Sequence, residues 1–196
     1  MKKNRLLKKI DEIKISKGKI LVFFLTAGFP NLRTTEKVIS SLEKGGAEVI
    51  ELGVPFSDPI ADGPAIQWSS QKALLSGITL AKILKFVKNI RGKIKIPIVL
   101  MSYFNPVYRF GIRKFFKTAV KNGIDALLLT DVIPEEAAFI KTLSVKMDLP
   151  LIFLITTTTS SSRYLKIINS TRGFLYVVSL TGVTGERKKI STDIFP

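Results

Sequence analysis

Apolar residues in this chain fall into two rhythms, short continuous runs and longer stretches in which they recur every three or four positions. Runs of the first kind occupy residues 20–26, 47–52, 98–101, 126–130, 151–155 and 174–179. They are rich in β-branched and aromatic side chains and have no polar face, which predicts strands of a parallel sheet buried on both sides. Between them lie helical stripes: Val38, Ile39 and Leu42; Leu80, Ile83, Leu84 and Val87; Phe115, Phe116, Ala119 and Val120; Tyr164, Leu165 and Ile168. Thr79 and Ser160 to Ser162 are placed to cap helix starts, and Gly45-Gly46 and Asn122-Gly123 to stop helices. Pro134 suits a first helical position, with Glu135 and Glu136 set favourably against the helix dipole. A further helix, with Leu6, Ile10 and Ile13 at helical spacing, precedes the first strand and is expected to plug the bottom of the fold.

Six strands alternating with amphipathic helices, starting roughly 25 residues apart, imply a parallel α/β architecture. The second unit is lengthened by a Pro- and Gly-rich loop expected over residues 55–70. An open doubly wound sheet and a (β/α)8 barrel share this rhythm. The lack of a G-x-G-x-x-G after the first strand weakens the dinucleotide-binding alternative and favours the barrel. Residues 1–196 are therefore read as a single TIM-barrel domain holding about six of the eight β/α units, incomplete at the C-terminus.

Composition narrows the chemistry. With 46% hydrophobic residues the chain can fill a core, and no apolar run approaches the roughly 20 residues needed to cross a bilayer. There is no Cys and no His, so disulfides, thiolate nucleophiles, His-based triads and Cys/His metal sites are excluded. Acid–base work near neutrality must fall to carboxylates, Lys, Tyr or water. The formal charge of +16 raises the idea of a polyanion partner. The lysines are, however, scattered over every segment without an aromatic-interleaved basic motif. Neither nucleic acid nor a membrane is expected as a partner. No secretory or transit pattern is recognised at the N-terminus, and abundant Lys, Ile, Asn and Phe suggest an AT-rich gene. Bacterial cytoplasm, or a plastid stroma, is the expected location.

In parallel α/β folds the functional groups sit at strand C-terminal ends and in the loops that follow. Glu51 ends the second strand, Asp62 lies in the next loop and Asp131 ends the fourth strand. A Glu in an otherwise apolar strand is either an inward-facing acid/base, its pKa raised by burial, or an outward residue paired with a Lys. Asp58 and Asp62 stand beside Pro and Gly, where turn chemistry alone would account for them. The 181–185 segment, TGVTG, fits either a lid or a simple turn.

These residues resemble the tryptophan synthase alpha subunit family over most of the chain. The resemblance rests on FLTAGFP at 24–30, ELGVPFSDP at 51–59, ADGP at 61–64, MSYFNP at 101–106, DVIPEE at 131–136 and VSLTGVTG at 178–185. It implies a carbon–carbon lyase of tryptophan biosynthesis that cleaves indole-3-glycerol phosphate to indole and glyceraldehyde 3-phosphate. Glu51 would be the general acid/base and Asp62 the carboxylate facing the indole N–H. Phe24, Leu128 and Tyr176 would line the indole pocket, joined by Tyr103 and Gly185 as substrate contacts and by Thr184 as the lid threonine. The resemblance further implies no cofactor in this chain, with pyridoxal phosphate confined to a beta subunit. That partner would dock partly through Pro55 and Asp58 in an alpha2beta2 heterotetramer. Two departures stand out. Thr156 to Thr159 replace a Pro-containing stretch, and the chain stops at Pro196, before the strands whose loops bind phosphate in the family. The alternative expectation is a catalytically incomplete remnant that acts at most as a beta-subunit-binding module.

Overall fold

A computed structural model describes residues 4–178. The elements in chain order are α1 (Arg5–Ser16), β1 (Val22–Thr26), α2 (Leu32–Lys44), β2 (Val49–Gly53), α3 (Pro64–Leu75), α4 (Leu80–Ile90), β3 (Ile98–Ser102), α5 (Phe104–Phe110), α6 (Ile112–Asn122), β4 (Ala126–Leu129), α7 (Ala138–Met147), β5 (Leu151–Ile152), β6 (Leu154–Thr156), α8 (Ser161–Ser170) and β7 (Tyr176–Val178). Strands β1 to β5 form one parallel sheet in sequential order, and β6 and β7 pair in parallel as a second. The expected fifth strand is thus divided at Phe153. Its first half pairs with β4 and its second with β7. Among the described residues β1 is paired on one side only, with β2, and β7 only with β6.

Strand alternation separates two apolar layers, the signature of a barrel. Ile50, Leu52, Ile98, Leu100, Leu127 and Leu129 face outward into the layer beneath the helices, beside Ile83, Val87, Phe115 and Phe116. Val49, Val99, Ala126, Leu128 and Ile152 face inward and pack with Met101, Leu154, Phe174 and Tyr176. Helix α1 lies against this inner layer through Leu6 and Ile10. The fold is a (β/α)8-type barrel arc.

Helix α1 is fastened by polar groups invisible to hydrophobic patterning. Asn4 caps it, accepting from the Leu6 and Leu7 amides, and its Nδ2 donates to the Asp125 carbonyl at 2.8 Å. The buried Asp125 carboxylate accepts from Arg5 at 2.7 Å, from Arg91 at 2.6 Å and from the Ile98 amide at 2.9 Å. One carboxylate therefore joins α1, α4, β3 and β4 beneath the barrel. Helix α6 ends where Gly123 takes a positive φ of 91°, and a Cβ there would sit 2.8 Å from the Arg91 side chain. Glycine serves both the left-handed turn and the arginine's path to Asp125.

Several predicted elements move. The loop expected over 55–70 ends at Gly63, because Pro64 opens α3 at a first-turn position. Periodicity missed α3 because it buries Ser69, Ser70 and Ala73, small residues that leave no apolar stripe. Helix α7 starts at Ala138, not Pro134. Residues 134–137 turn through the Glu136 N–H to Ile133 carbonyl and Ala137 N–H to Pro134 carbonyl bonds. Glu135 consequently pairs with Arg163, at 3.2 Å, rather than serving the helix dipole. On α8 the inward residue is Ile167, whereas Tyr164, Leu165 and Ile168 are 41%, 64% and 39% exposed. Val120 likewise points outward from α6. Thr79 does cap α4, through the Lys82 amide. The Thr156–Thr159 departure closes on itself: the Thr156 amide donates to Thr159 Oγ1 at 2.9 Å and the Thr159 amide to the Thr156 carbonyl at 3.0 Å. Hydroxyls thus supply the turn without proline. No described helix is long and apolar enough to cross a membrane.

Candidate active site

Glu51 is the inward residue of β2 two positions before Gly53, in register with Phe24 on β1 and Val99 on β3. It is 4% exposed, which settles the choice left open by the sequence, because an outward Lys-paired carboxylate would not be enclosed within the barrel. Its Oε1 is one of two buried side-chain oxygens without a hydrogen-bond partner among the described residues; the other is Thr130 Oγ1. Burial raises the Glu51 pKa to about 7, since transferring a carboxylate out of water penalises its charged form. Tyr176, half-buried in the same interior, has its pKa raised by burial and further by the negative charge of Glu51. Glu51 on β2 and Tyr176 on β7 are therefore near enough to interact electrostatically.

Above this level the Asp62 loop is held by Tyr103. The Tyr103 hydroxyl accepts from the Ala61 amide at 3.1 Å and donates to the Asp62 carboxylate. Burial raises the Asp62 pKa while the tyrosine hydrogen bond lowers it, so the phenol favours the ionised acid. The Tyr103 ring also lies 5.0 Å from that of Phe56. Gln67 Nε2 donates to the Asp62 carbonyl at 2.8 Å, tying the loop to α3. Asp62 and Tyr103 share a small cavity with Phe24, Gly53, Ile66, Met101 and Thr130. Gly53 is required here for space: a Cβ on it would stand 2.6 Å from the Phe24 ring. Thr26 and Ser69 are hydrogen bonded through their hydroxyls at 2.7 Å, fixing α3 against β1.

The structure therefore gathers Glu51, Phe24, Leu128 and Tyr176 in the barrel interior and places Asp62 and Tyr103 at its mouth. Thr184 and Gly185 lie outside the described residues. Of the two residues expected at a partner surface, Asp58 is exposed, with its carboxylate accepting from Ser57 Oγ at 2.5 Å, but Pro55 is buried. The outward tip of that loop is formed by Ser57, Asp58 and Ile60. Asp131, the third candidate carboxylate, accepts from the Phe104 amide at 2.8 Å and so caps the start of α5. Sequence reading missed Thr130, although alternation from Leu128 puts it on the inward row, and it missed Tyr103 as the clamp of the Asp62 loop.

A buried carboxyl inside a parallel β/α barrel, with a second carboxylate on the loop above it, places the chain in the class of (β/α)8-barrel proteins whose site lies at the C-terminal ends of the strands. The family model for the tryptophan synthase alpha chain matches residues 10–195. The tryptophan synthase alpha chain of Geotalea uraniireducens is 52% identical over 178 residues, covering 91% of this chain and 67% of that one. That of Clostridium acetobutylicum is 41% identical over 191 residues, covering 97% and 72%. Among solved structures, tryptophan synthase subunit alpha from Legionella pneumophila superposes with a TM-score of 0.86 at 37% identity, covering 90% of this chain and 68% of that one. Mycobacterium tuberculosis tryptophan synthase gives 0.89 at 31% identity, covering 97% and 74%. The chain belongs to the tryptophan synthase alpha chain family, and it spans about two thirds of the length of these relatives.

Proposed function

We propose that this chain, as a single barrel domain over residues 1–196, carries out the alpha reaction of tryptophan synthase. In that reaction indole-3-glycerol phosphate undergoes retro-aldol cleavage to indole and glyceraldehyde 3-phosphate. The observation that carries the reading is the buried Glu51 carboxyl with a pKa of about 7. Cleaving the bond between indole C3 and the glycerol carbon needs a proton delivered to C3 and one removed from the adjoining hydroxyl. Loss of the hydroxyl proton forms the aldehyde carbonyl, and the electron pair of the breaking bond restores the aromatic ring. A single carboxyl that is half-ionised near neutrality can give the first proton and take the second, ending unchanged.

Asp62 has the complementary role. Burial raises its pKa and the Tyr103 hydrogen bond opposes that rise; as a carboxylate it accepts the indole N–H and stabilises the positive charge that protonation places on the ring. Phe24, Leu128 and Tyr176 supply the apolar walls against which an aromatic ring packs. Thr184 and Gly185 complete this reading as lid and substrate contacts. No step as written draws on a cofactor.

The Asp58 loop tip faces outward and is the proposed contact for a pyridoxal-phosphate-dependent beta subunit in an alpha2beta2 assembly, to which indole would pass. The bacterial cytoplasm or a plastid stroma is the matching location. The deciding assay follows indole released from indole-3-glycerol phosphate by the wild-type chain and by Glu51→Gln. The expected result is release by the former and none by the latter; undiminished release from Glu51→Gln overturns the assignment.

A further inference from the structure

Among the described residues two buried side-chain oxygens lack a partner, and both belong to the inner wall of the barrel. One is Glu51 Oε1, which the proposed chemistry uses. The other is Thr130 Oγ1. Thr130 follows β4, whose inward residues Ala126 and Leu128 alternate toward it, and its amide donates to the Ser102 carbonyl at 3.1 Å, continuing the β4 pairing with β3. Its side chain lines the same cavity as Asp62, Tyr103 and Phe24. Neighbouring polar groups at this rim are already engaged: Ser102 Oγ donates to the Tyr103 carbonyl, the Tyr103 hydroxyl serves Ala61 and Asp62, and Asp131 caps α5. A buried hydroxyl left unpaired is costly, and a valine would fill the same shape without that cost. The position thus holds a polar atom that no other described residue engages.

We propose that Thr130 is a specificity-determining residue whose hydroxyl reads a glycerol hydroxyl of the substrate. This inference rests on the alpha-reaction reading above. In that reading the ring N–H is taken by Asp62 and the hydroxyl beside the cleaved bond by Glu51. The organic part of indole-3-glycerol phosphate then has one polar group left, the second glycerol hydroxyl, which both donates and accepts as a threonine hydroxyl does. Reading it favours the glycerol phosphate over an indole alkyl phosphate of equal size, because the analogue leaves the threonine unpaired. Thr130 directly follows β4, so its position relative to the reacting carbon is set by a strand of the sheet.

The test compares binding of indole-3-glycerol phosphate and of hydroxyl-free indole-3-propyl phosphate to the wild-type chain, Thr130→Val and Thr130→Ser, with thermal unfolding of each free protein. Thr130→Val should weaken binding of the glycerol phosphate about tenfold and leave the propyl phosphate unchanged. Thr130→Ser should retain most of the discrimination, and the free Val variant should melt no lower than wild type. Equal weakening toward both ligands, or no weakening toward either, overturns the proposal. Failure of the wild-type chain to bind either compound overturns the alpha-reaction reading itself, and this inference with it.

Discussion

Replacing Glu51 by Gln should make the protein's stability respond differently to pH, by an amount the structure specifies. The Glu51 carboxyl has a folded-state pKa of about 7 against 4.5 for an exposed Glu, through burial alone. Below the lower value the carboxyl is protonated in both states and imposes no penalty. Between the two values the folded protein keeps a proton that the unfolded chain has released, so stability falls as pH rises. Above the upper value the penalty is complete. At 1.36 kcal/mol per pKa unit, the separation corresponds to about 3 kcal/mol. Glutamine has nearly the same shape and does not titrate. Any fixed cost of burying its amide cancels when the two proteins are compared across pH, as do the titrations of all other groups. Urea unfolding of both proteins from about pH 4.5 to about pH 8 should show the Gln variant gaining about 3 kcal/mol on wild type over that window. Most of the gain should fall between the two pKa values. A difference that stays flat with pH, or that grows toward acid, would refute the claim that burial holds this carboxyl neutral.

Three other outcomes follow from the polar contacts at the two ends of the barrel. Tyr103→Phe removes both the acceptor for the Ala61 amide and the donor to Asp62, so the Asp62 pKa should rise further and kcat/KM for indole release should fall about tenfold with a smaller loss in folding stability. An unchanged pH–rate profile in that variant would argue against the clamp. At the opposite end of the barrel, Asp125→Ala should cost about 3–5 kcal/mol, because Arg91, whose side chain is 9% exposed, would keep its bonds to the Gly123 and Ile96 carbonyls but lose the carboxylate that balances its charge. Arg5→Ala, at the 44% exposed partner of the same carboxylate, should cost about 1 kcal/mol or less by denaturant unfolding.

What the sequence determined by itself was the periodic part of this protein. Continuous apolar runs placed β1 to β4 and β7; β2 to β4 are buried on both faces and tolerate few polar residues, whereas Val22 and Phe23 of β1 and Val177 of β7 remain partly exposed among the described residues. Glu51 was conspicuous for the same reason, as a carboxylate where the pattern demanded an apolar side chain. The ELGVPFSDP and ADGP motifs carried the family, as the comparisons then bore out. Helix α3 was hidden, since small residues allow it to lie close to β1 and erase the stripe that periodicity detects. The face of α8 and the start of α7 were set by neighbours: Ile167 alone finds the core, and Glu135 meets Arg163 across 28 positions of sequence. Only tertiary structure could make Asp125 the knot of four elements, turn Asp131 from a candidate acid into a cap, bury Pro55, and hang the Asp62 loop on Tyr103. In each case the partner is distant along the chain, and hydrogen bonding depends on direction and distance in space, which residue order does not encode. Whether Glu51 pointed in or out was decided in the same way. Strand register turned it inward between β1 and β3, where burial removed water from the carboxyl, and that removal is what moves its pKa to about 7.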